Sequence, residues 1–267
     1  MADWRGKVAL VTGGSAGLGR AIARAFAERG ASVVIAARGA EVLQATAASL
    51  PGYPERVLSV PTDVRQANDV QRLIEATIAR FGRLDVLVNN AGRSTRGTAL
   101  ETAPDEFADL MDLNLVALVR VTREAMPHLL ASHGYLVNIG SLAGKTAARY
   151  MGAYSATKHA VSAYTQQLRL ELAGKGLHIL LVSPGPIARD EPRVYSEEKV
   201  GGLPPSARKP GGGAKVGLLD PKRLAERIVR ACERGEIDLV LPGRARLVFA
   251  LNQLWPKLGE WIIKKMS

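Results

Sequence analysis

The chain has 267 residues, 47% of them hydrophobic and 23% charged, with a formal net charge of +11. That apolar share supports a substantial core and excludes a disordered chain, and no run approaches the roughly 20 apolar residues of a spanning helix. A single cysteine, Cys232, excludes an intrachain disulfide and fits a reducing compartment, while the short polar start leads into an apolar run too brief for a signal peptide, so a cytoplasmic protein is expected, with membrane association as the alternative.

In chain order, strand-like and helix-like patterns alternate. Strands are expected at Lys7–Thr12, Ser32–Ala37, Arg56–Val60, Leu84–Asn89, Tyr135–Gly140, Leu177–Val182 and Ile237–Leu241. Helical spacing marks Leu18–Arg29, Ala67–Phe81, Pro104–Ser132, Ala153–Ala173 and Asp220–Arg234. Parallel strands need crossover helices, so the pattern predicts a doubly wound α/β fold: a seven-stranded parallel sheet with helices on both faces. Residues 1–243 read as one such domain, and 244–267 as an amphipathic extension of it. Within the domain, 189–219 carries Pro192, Pro204, Pro205, Pro210 and Gly211–Gly213 with little periodicity. It follows strand six at the carboxyl edge, where ligands bind in such folds, and reads as a lid over substrate.

The first strand runs into Thr12-Gly13-Gly14-Ser15-Ala16-Gly17-Leu18-Gly19 and then directly into a helix. Glycines at 13, 17 and 19 suit a tight turn, close approach of a pyrophosphate and tight helix–strand packing, and the helix amino end adds free N–H groups. Strand two ends in Ala36-Ala37-Arg38, where an acidic residue would favour NAD. Arg38, with Ser15 as a second contact, instead favours the 2′-phosphate of NADP(H). Asp63, in Thr62-Asp63-Val64, is placed either to meet adenine or to cap the next helix. Asn90, Ala91 and Gly92 form a narrow turn that lets the backbone pass beside the cofactor.

Tyr154 and Lys158 lie four residues apart, hence on one helix face. A carbonyl that accepts hydride needs a proton at its oxygen, and a tyrosine supplies it if its pKa of about 10 is lowered by a nearby ammonium. Ser141, at the end of strand five, would hold the substrate oxygen. Asn114 sits within a helix, where an amide is not favoured; it would hold a water behind Lys158 or make a core hydrogen bond. Tyr150 is two turns from Lys158, too far for the same partnership. The four histidines lack metal-ligand spacing, and no metal is expected.

Taken together, Thr12–Gly19, Asn89–Gly92, Asn114, Ser141, Tyr154, Lys158 and Pro184-Gly185 resemble the short-chain dehydrogenase/reductase family, over about residues 5–188 plus the last strand. The resemblance implies a Rossmann sheet, a homodimer or homotetramer, and an Asn–Ser–Tyr–Lys tetrad at Asn114, Ser141, Tyr154 and Lys158. It also implies that Lys158 bonds the nicotinamide ribose and that Pro184, Gly185 and Ile187 line the nicotinamide. Arg38 resembles the NADP-preferring members. Where many members carry a threonine, this chain has Arg189.

The expected activity is therefore NADPH-dependent interconversion of a small-molecule carbonyl and an alcohol. An oxidative NAD(P)+-dependent alcohol dehydrogenase and a non-catalytic NADPH sensor are the alternatives. Arg93, Ser94, Leu142, Ala143 and Arg149 are expected beside the substrate. The last third is more basic per residue, which reads as a solvated surface rather than a nucleic-acid site. The tail, apolar at Leu247, Leu251, Leu254, Trp255 and Trp261 with Lys257, Lys264 and Lys265, reads as a helix packed on its own domain or a mate. A peripheral membrane contact serving a lipophilic substrate is the alternative.

Overall fold

The computed structural model describes residues 3–189, 195, 200–213 and 216–266. Seven parallel strands form one sheet in the order β3-β2-β1-β4-β5-β6-β7. They are β1 (Val8–Thr12), β2 (Ser32–Ala37), β3 (Val57–Pro61), β4 (Val86–Asn89), β5 (Tyr135–Ile139), β6 (His178–Pro184) and β7 (Asp238–Leu241). Each of the seven lies within two residues of its expected start and end. The central strands are buried end to end, as a sheet covered on both faces requires.

Alternate residues of the central strands feed two separate cores. Val11, Ile35, Val88 and Val182 pack with Ile22, Phe26 and Ile228, whereas Leu10, Val34, Leu87 and Ile179 pack with Leu73, Val121 and Leu129. The first face is covered by α1 (Gly17–Glu28) and α7 (Pro221–Glu233), the second by α3 (Ala67–Phe81) and α5 (Ala117–Ala131). Local chemistry sets several ends. Gly82, at φ +73, closes α3 in the left-handed region, and the Asp220 carboxylate accepts the Arg223 N–H to cap α7 ahead of Pro221.

Three elements differ from expectation. A helix α2 (Ala40–Ala48) forms where none was expected; only Leu43, Thr46 and Ala47 are buried, so no apolar stripe announces it. The long helix over 104–132 is α4 (Pro104–Met111), a π turn at Asp112–Val116, and then α5. The segment 189–219 is not structureless where described: tight turns stand at Pro205–Arg208 and Pro210–Gly213, and Ile187 bridges to Leu219. The remainder of the expected lid, 190–194, 196–199 and 214–215, lies outside the described residues. After α6 (Tyr154–Glu171) and α7, the tail forms two helices, α8 (Ala245–Leu254) and α9 (Pro256–Met266), divided at Pro256.

Candidate active site

The chain leaves β1 at Thr12 and turns through Gly13, whose φ of +65 lies in the left-handed region. At Gly19 a Cβ would stand 2.1 Å from the Gly13 carbonyl oxygen and 2.5 Å from Asn90 Nδ2. The turn is pinned to the end of β4: Thr12 Oγ1 accepts the N–H groups of Asn90 (3.0 Å) and Ala91 (3.1 Å). Asn90 Nδ2 in return donates to the carbonyls of Thr12 (3.0 Å) and Gly13 (3.2 Å). No side chain caps α1 and no carboxylate occupies its first turn. The helix amino end therefore faces the crevice where strand order reverses between β1 and β4, a fitting cradle for a pyrophosphate.

Around this turn, Thr12, Val64 and Ala91 line one small void. Arg38 is exposed one residue beyond β2, and Ser15 is half-buried, its carbonyl accepting from Thr46 Oγ1 at 3.0 Å. Asp63 does not cap α3. Its carboxylate accepts the Arg65 N–H at 3.0 Å, closing a turn one step earlier, while its own N–H donates to Asp69. Gln66 precedes α3 without a side-chain cap.

At the other end of the crevice, Tyr154 opens α6, half-buried, and Lys158 follows one turn later with 6% exposure. Lys158 Nζ donates to the Ile139 carbonyl at 2.8 Å and lies 5.9 Å from the Tyr154 ring centroid. Burial pulls its pKa from 10.5 to about 8. Ser141 leaves β5 into a single turn, Leu142–Gly144, which rests on α6. A Cβ at Gly144 would stand 2.4 Å from the Lys158 carbonyl. Ser141 Oγ accepts the Ala143 N–H at 3.1 Å, so its own O–H remains a donor for another group.

Asn114 occupies the π turn, buried. Its Nδ2 donates to the Arg93 carbonyl (2.9 Å) and to Thr157 Oγ1 (3.0 Å), and Oδ1 accepts the Arg93 N–H (3.0 Å). Thr157 Oγ1 in turn donates to the Tyr154 carbonyl at 2.8 Å. A core hydrogen bond, one of the two expectations for this amide, is thus present, made from within the π turn to Thr157 of α6. Gly185, after β6, donates to Leu241 O at 2.7 Å, and Ala188 N–H pairs with Leu219 O at 2.9 Å. This holds 184–188 between β7 and the end of the expected lid. Arg189 follows, exposed.

Two expected substrate neighbours are engaged elsewhere: the Arg93 guanidinium pairs with Asp109, and Arg149 stacks on Tyr150. Sequence reasoning missed Arg96. It is 3% exposed and donates to the carbonyls of Ala207 (2.7 Å) and Lys209 (3.0 Å), with Met151 Sδ at 3.4 Å and the Tyr195 ring 4.6 Å away. Gly212 packs on the other side of the same clasp, where a Cβ would meet Arg149 O and Met151 Sδ at 3.0 Å. One buried guanidinium so ties the 205–209 segment to the stretch that leads into Tyr154. Nothing in the sequence distinguishes this arginine from a solvated loop cation.

A glycine turn on a Rossmann sheet, with a tyrosine–lysine helix at the same edge, defines an NAD(P)-dependent oxidoreductase acting on CH–OH donors. The chain matches the short chain dehydrogenase family over residues 7–198 and belongs to that family. It is 35% identical over 271 residues to a dehydrogenase/reductase SDR family protein 7-like of Anopheles gambiae, covering 98% of this chain and 83% of that one. A short chain dehydrogenase/reductase from Burkholderia phymatum in complex with NAD superposes with a TM-score of 0.84 at 25% identity, covering 97% of this chain and 96% of that one. L-Sorbose reductase from Gluconobacter frateurii, complexed with NADPH and L-sorbose, gives 0.78 at 28% identity, covering 91% and 98%.

Proposed function

We propose that this chain is an NADPH-dependent carbonyl reductase, with Tyr154 as the acid that protonates the substrate oxygen. The observation that carries the reading is the buried Lys158 one helical turn from Tyr154, at the same sheet edge as the glycine turn. The nicotinamide ring, when bound, supplies the hydride to the substrate carbon. A Lys158 pKa of about 8 leaves the amine mostly protonated at neutral pH, so its charge favours the Tyr154 phenolate and eases release of the proton. Ser141 directs its free O–H at the same substrate oxygen and steadies developing alkoxide charge. Asn114 is a positioning residue: through Thr157 it fixes the backbone of Tyr154, and it also holds the backbone of Arg93.

Arg38 and Ser15 would take the 2′-phosphate, Asp63 and Val64 the adenine, and Gly13, Gly17, Leu18 and Gly19 the pyrophosphate. Thr12, Asn90, Ala91 and Gly92 keep the floor of the crevice narrow, and Pro184, Gly185 and Ile187 line the nicotinamide. In this reading 1–243 is the catalytic domain and 189–219 its lid, with Arg96 holding the lid's Ala207 and Lys209 carbonyls. Membership of the short chain dehydrogenase family supports assembly as a homodimer or homotetramer. The test is NADPH oxidation against a panel of aldehydes, ketones, keto sugars and acyl thioesters, with Tyr154→Phe as the control. The substitution is expected to lower kcat by about 10²-fold or more, with NADPH affinity retained. Full turnover by Tyr154→Phe would overturn the assignment.

A further inference from the structure

The tail helices leave an apolar face without a partner. α8 and α9 pack closely on one another: Gly259 is buried so near Asn252 that a Cβ there would lie 2.3 Å from Asn252 Cα. Their attachment to the body is narrow. Arg246 donates to the Asp238 carbonyl at the start of β7, and no residue of α8 is buried. Leu247 (71%), Leu254 (68%), Trp255 (59%), Leu258 (45%) and Trp261 (54%) are exposed. Leu247 and Leu254 are seven apart on α8 and so share a face. Trp255, at the junction between the helices, is exposed as well, and within α9 Leu258 and Trp261 lie three apart on one face. Two of the three tryptophans of the chain are exposed in this tail, while the third, Trp4, is 1% exposed in the core.

Charge selects the occupant. Arg244, Arg246, Lys257, Lys264 and Lys265 are all exposed, against the single carboxylate of Glu260. Lys265 Nζ lies 3.9 Å from the Trp261 ring centroid, placing a cation beside the apolar face. A second copy would bring the same cations to the contact, on a chain that already carries +11. An anionic lipid surface offers apolar depth for Leu and Trp with opposite charge for the rim. With 10 and 11 residues, each helix is about 15 Å long, half the hydrocarbon thickness, so the pair lies in the interface and does not cross.

The geometry points to a peripheral membrane-docking surface: α8 and α9 seat flat on an anionic bilayer through Leu247, Leu254, Trp255, Leu258 and Trp261, held by the surrounding lysines and arginines. Its root is the end of β7, at the same sheet edge as Tyr154 and beside Gly185, which donates to Leu241 O. The surface itself stands independently of the proposed reaction.

The test is co-sedimentation of the full chain with phosphatidylglycerol vesicles and with phosphatidylcholine vesicles, together with tryptophan emission. Binding is expected on the anionic vesicles, with a blue shift from Trp255 and Trp261, and weakening as salt rises. Each of Lys257, Lys264 and Lys265 changed to Gln should lower partitioning about fivefold. The pair Trp255→Ser and Trp261→Ser should abolish the blue shift and most of the binding, while leaving turnover of a water-soluble substrate unchanged. No binding to either vesicle overturns the proposal. So does binding indifferent to the tryptophan pair, which would mean charge attraction elsewhere on the chain, or self-association that the same pair abolishes without any vesicle binding.

Discussion

Lys158→Met should make the cofactor-free protein more stable while ending catalysis. The ammonium is 6% exposed, and its hydrogen bond is to a single carbonyl, that of Ile139. Burial lowers its pKa from 10.5 to about 8; at ~1.4 kcal/mol per unit, the charged form costs the fold about 3 kcal/mol. Below pH 8 both folded and unfolded chains hold the proton, so the whole cost is present. Between pH 8 and 10.5 the unfolded chain keeps the proton that the folded one has released, so stability rises with pH by ~1.4 kcal/mol per unit. Above 10.5 the amine is neutral in both states and the cost is gone. Methionine fills the same channel but gives up the bond to Ile139, a loss of about 1 kcal/mol. The expected outcome at pH 7 is a gain of about 2 kcal/mol, which turns into a deficit of about 1 kcal/mol near pH 10.5. Urea unfolding of both proteins across that range measures it. Tyr135, Tyr164 and Cys232, all pushed up by burial, lower stability at alkaline pH, but they do so in both proteins and cancel in the difference. A variant less stable than the parent at pH 7, or a difference flat with pH, refutes the reasoning.

Arg38→Asp should invert cofactor preference, because it replaces the cation proposed to meet the 2′-phosphate with an acceptor for ribose hydroxyls; kcat/KM for NADPH and NADH on one substrate reads the change, expected to be on the order of tenfold or more for NADPH. Gly19→Ala should abolish dinucleotide binding and destabilise the fold by several kcal/mol, since its Cβ would stand 2.1 Å from the backbone oxygen of Gly13 and that oxygen cannot yield. Dye-monitored melting with and without NADPH checks both effects.

The sheet was legible because buried parallel strands write themselves as unbroken apolar runs: β1, all buried, is Val8-Ala9-Leu10-Val11-Thr12. Amphipathic helices were legible for the matching reason, as in α3, where Val70, Leu73 and Ile74 mark the buried stripe and Gly82 its stop. The helix α2 was not: its buried positions Leu43, Thr46 and Ala47 do fall at helical spacing, but only Leu43 is strongly apolar, so hydropathy does not mark the period. The π turn was equally hidden. A single extra residue in one turn leaves the apolar pattern around Asn114 nearly intact.

Spacing within single elements placed Tyr154 against Lys158, and strand ends placed Gly13, Asn90 and Ser141, since a parallel sheet delivers every strand end of one sense to one edge. What lay beyond reading were bonds between segments distant in sequence. Arg96 reaches Ala207 across 111 positions, and no local period encodes that closure. Asp63 was open for a different reason: its carboxylate takes the Arg65 N–H and its own N–H is given to Asp69, a local turn that the sequence does not distinguish from a helix cap. Lys158 shows why such a site persists against stability. A lysine left in water would keep its pKa near 10.4 and influence a phenol only weakly. Moving it under the sheet edge lowers the dielectric around the pair and strengthens that influence, at a cost in folding free energy borne by the two cores on either side of the sheet.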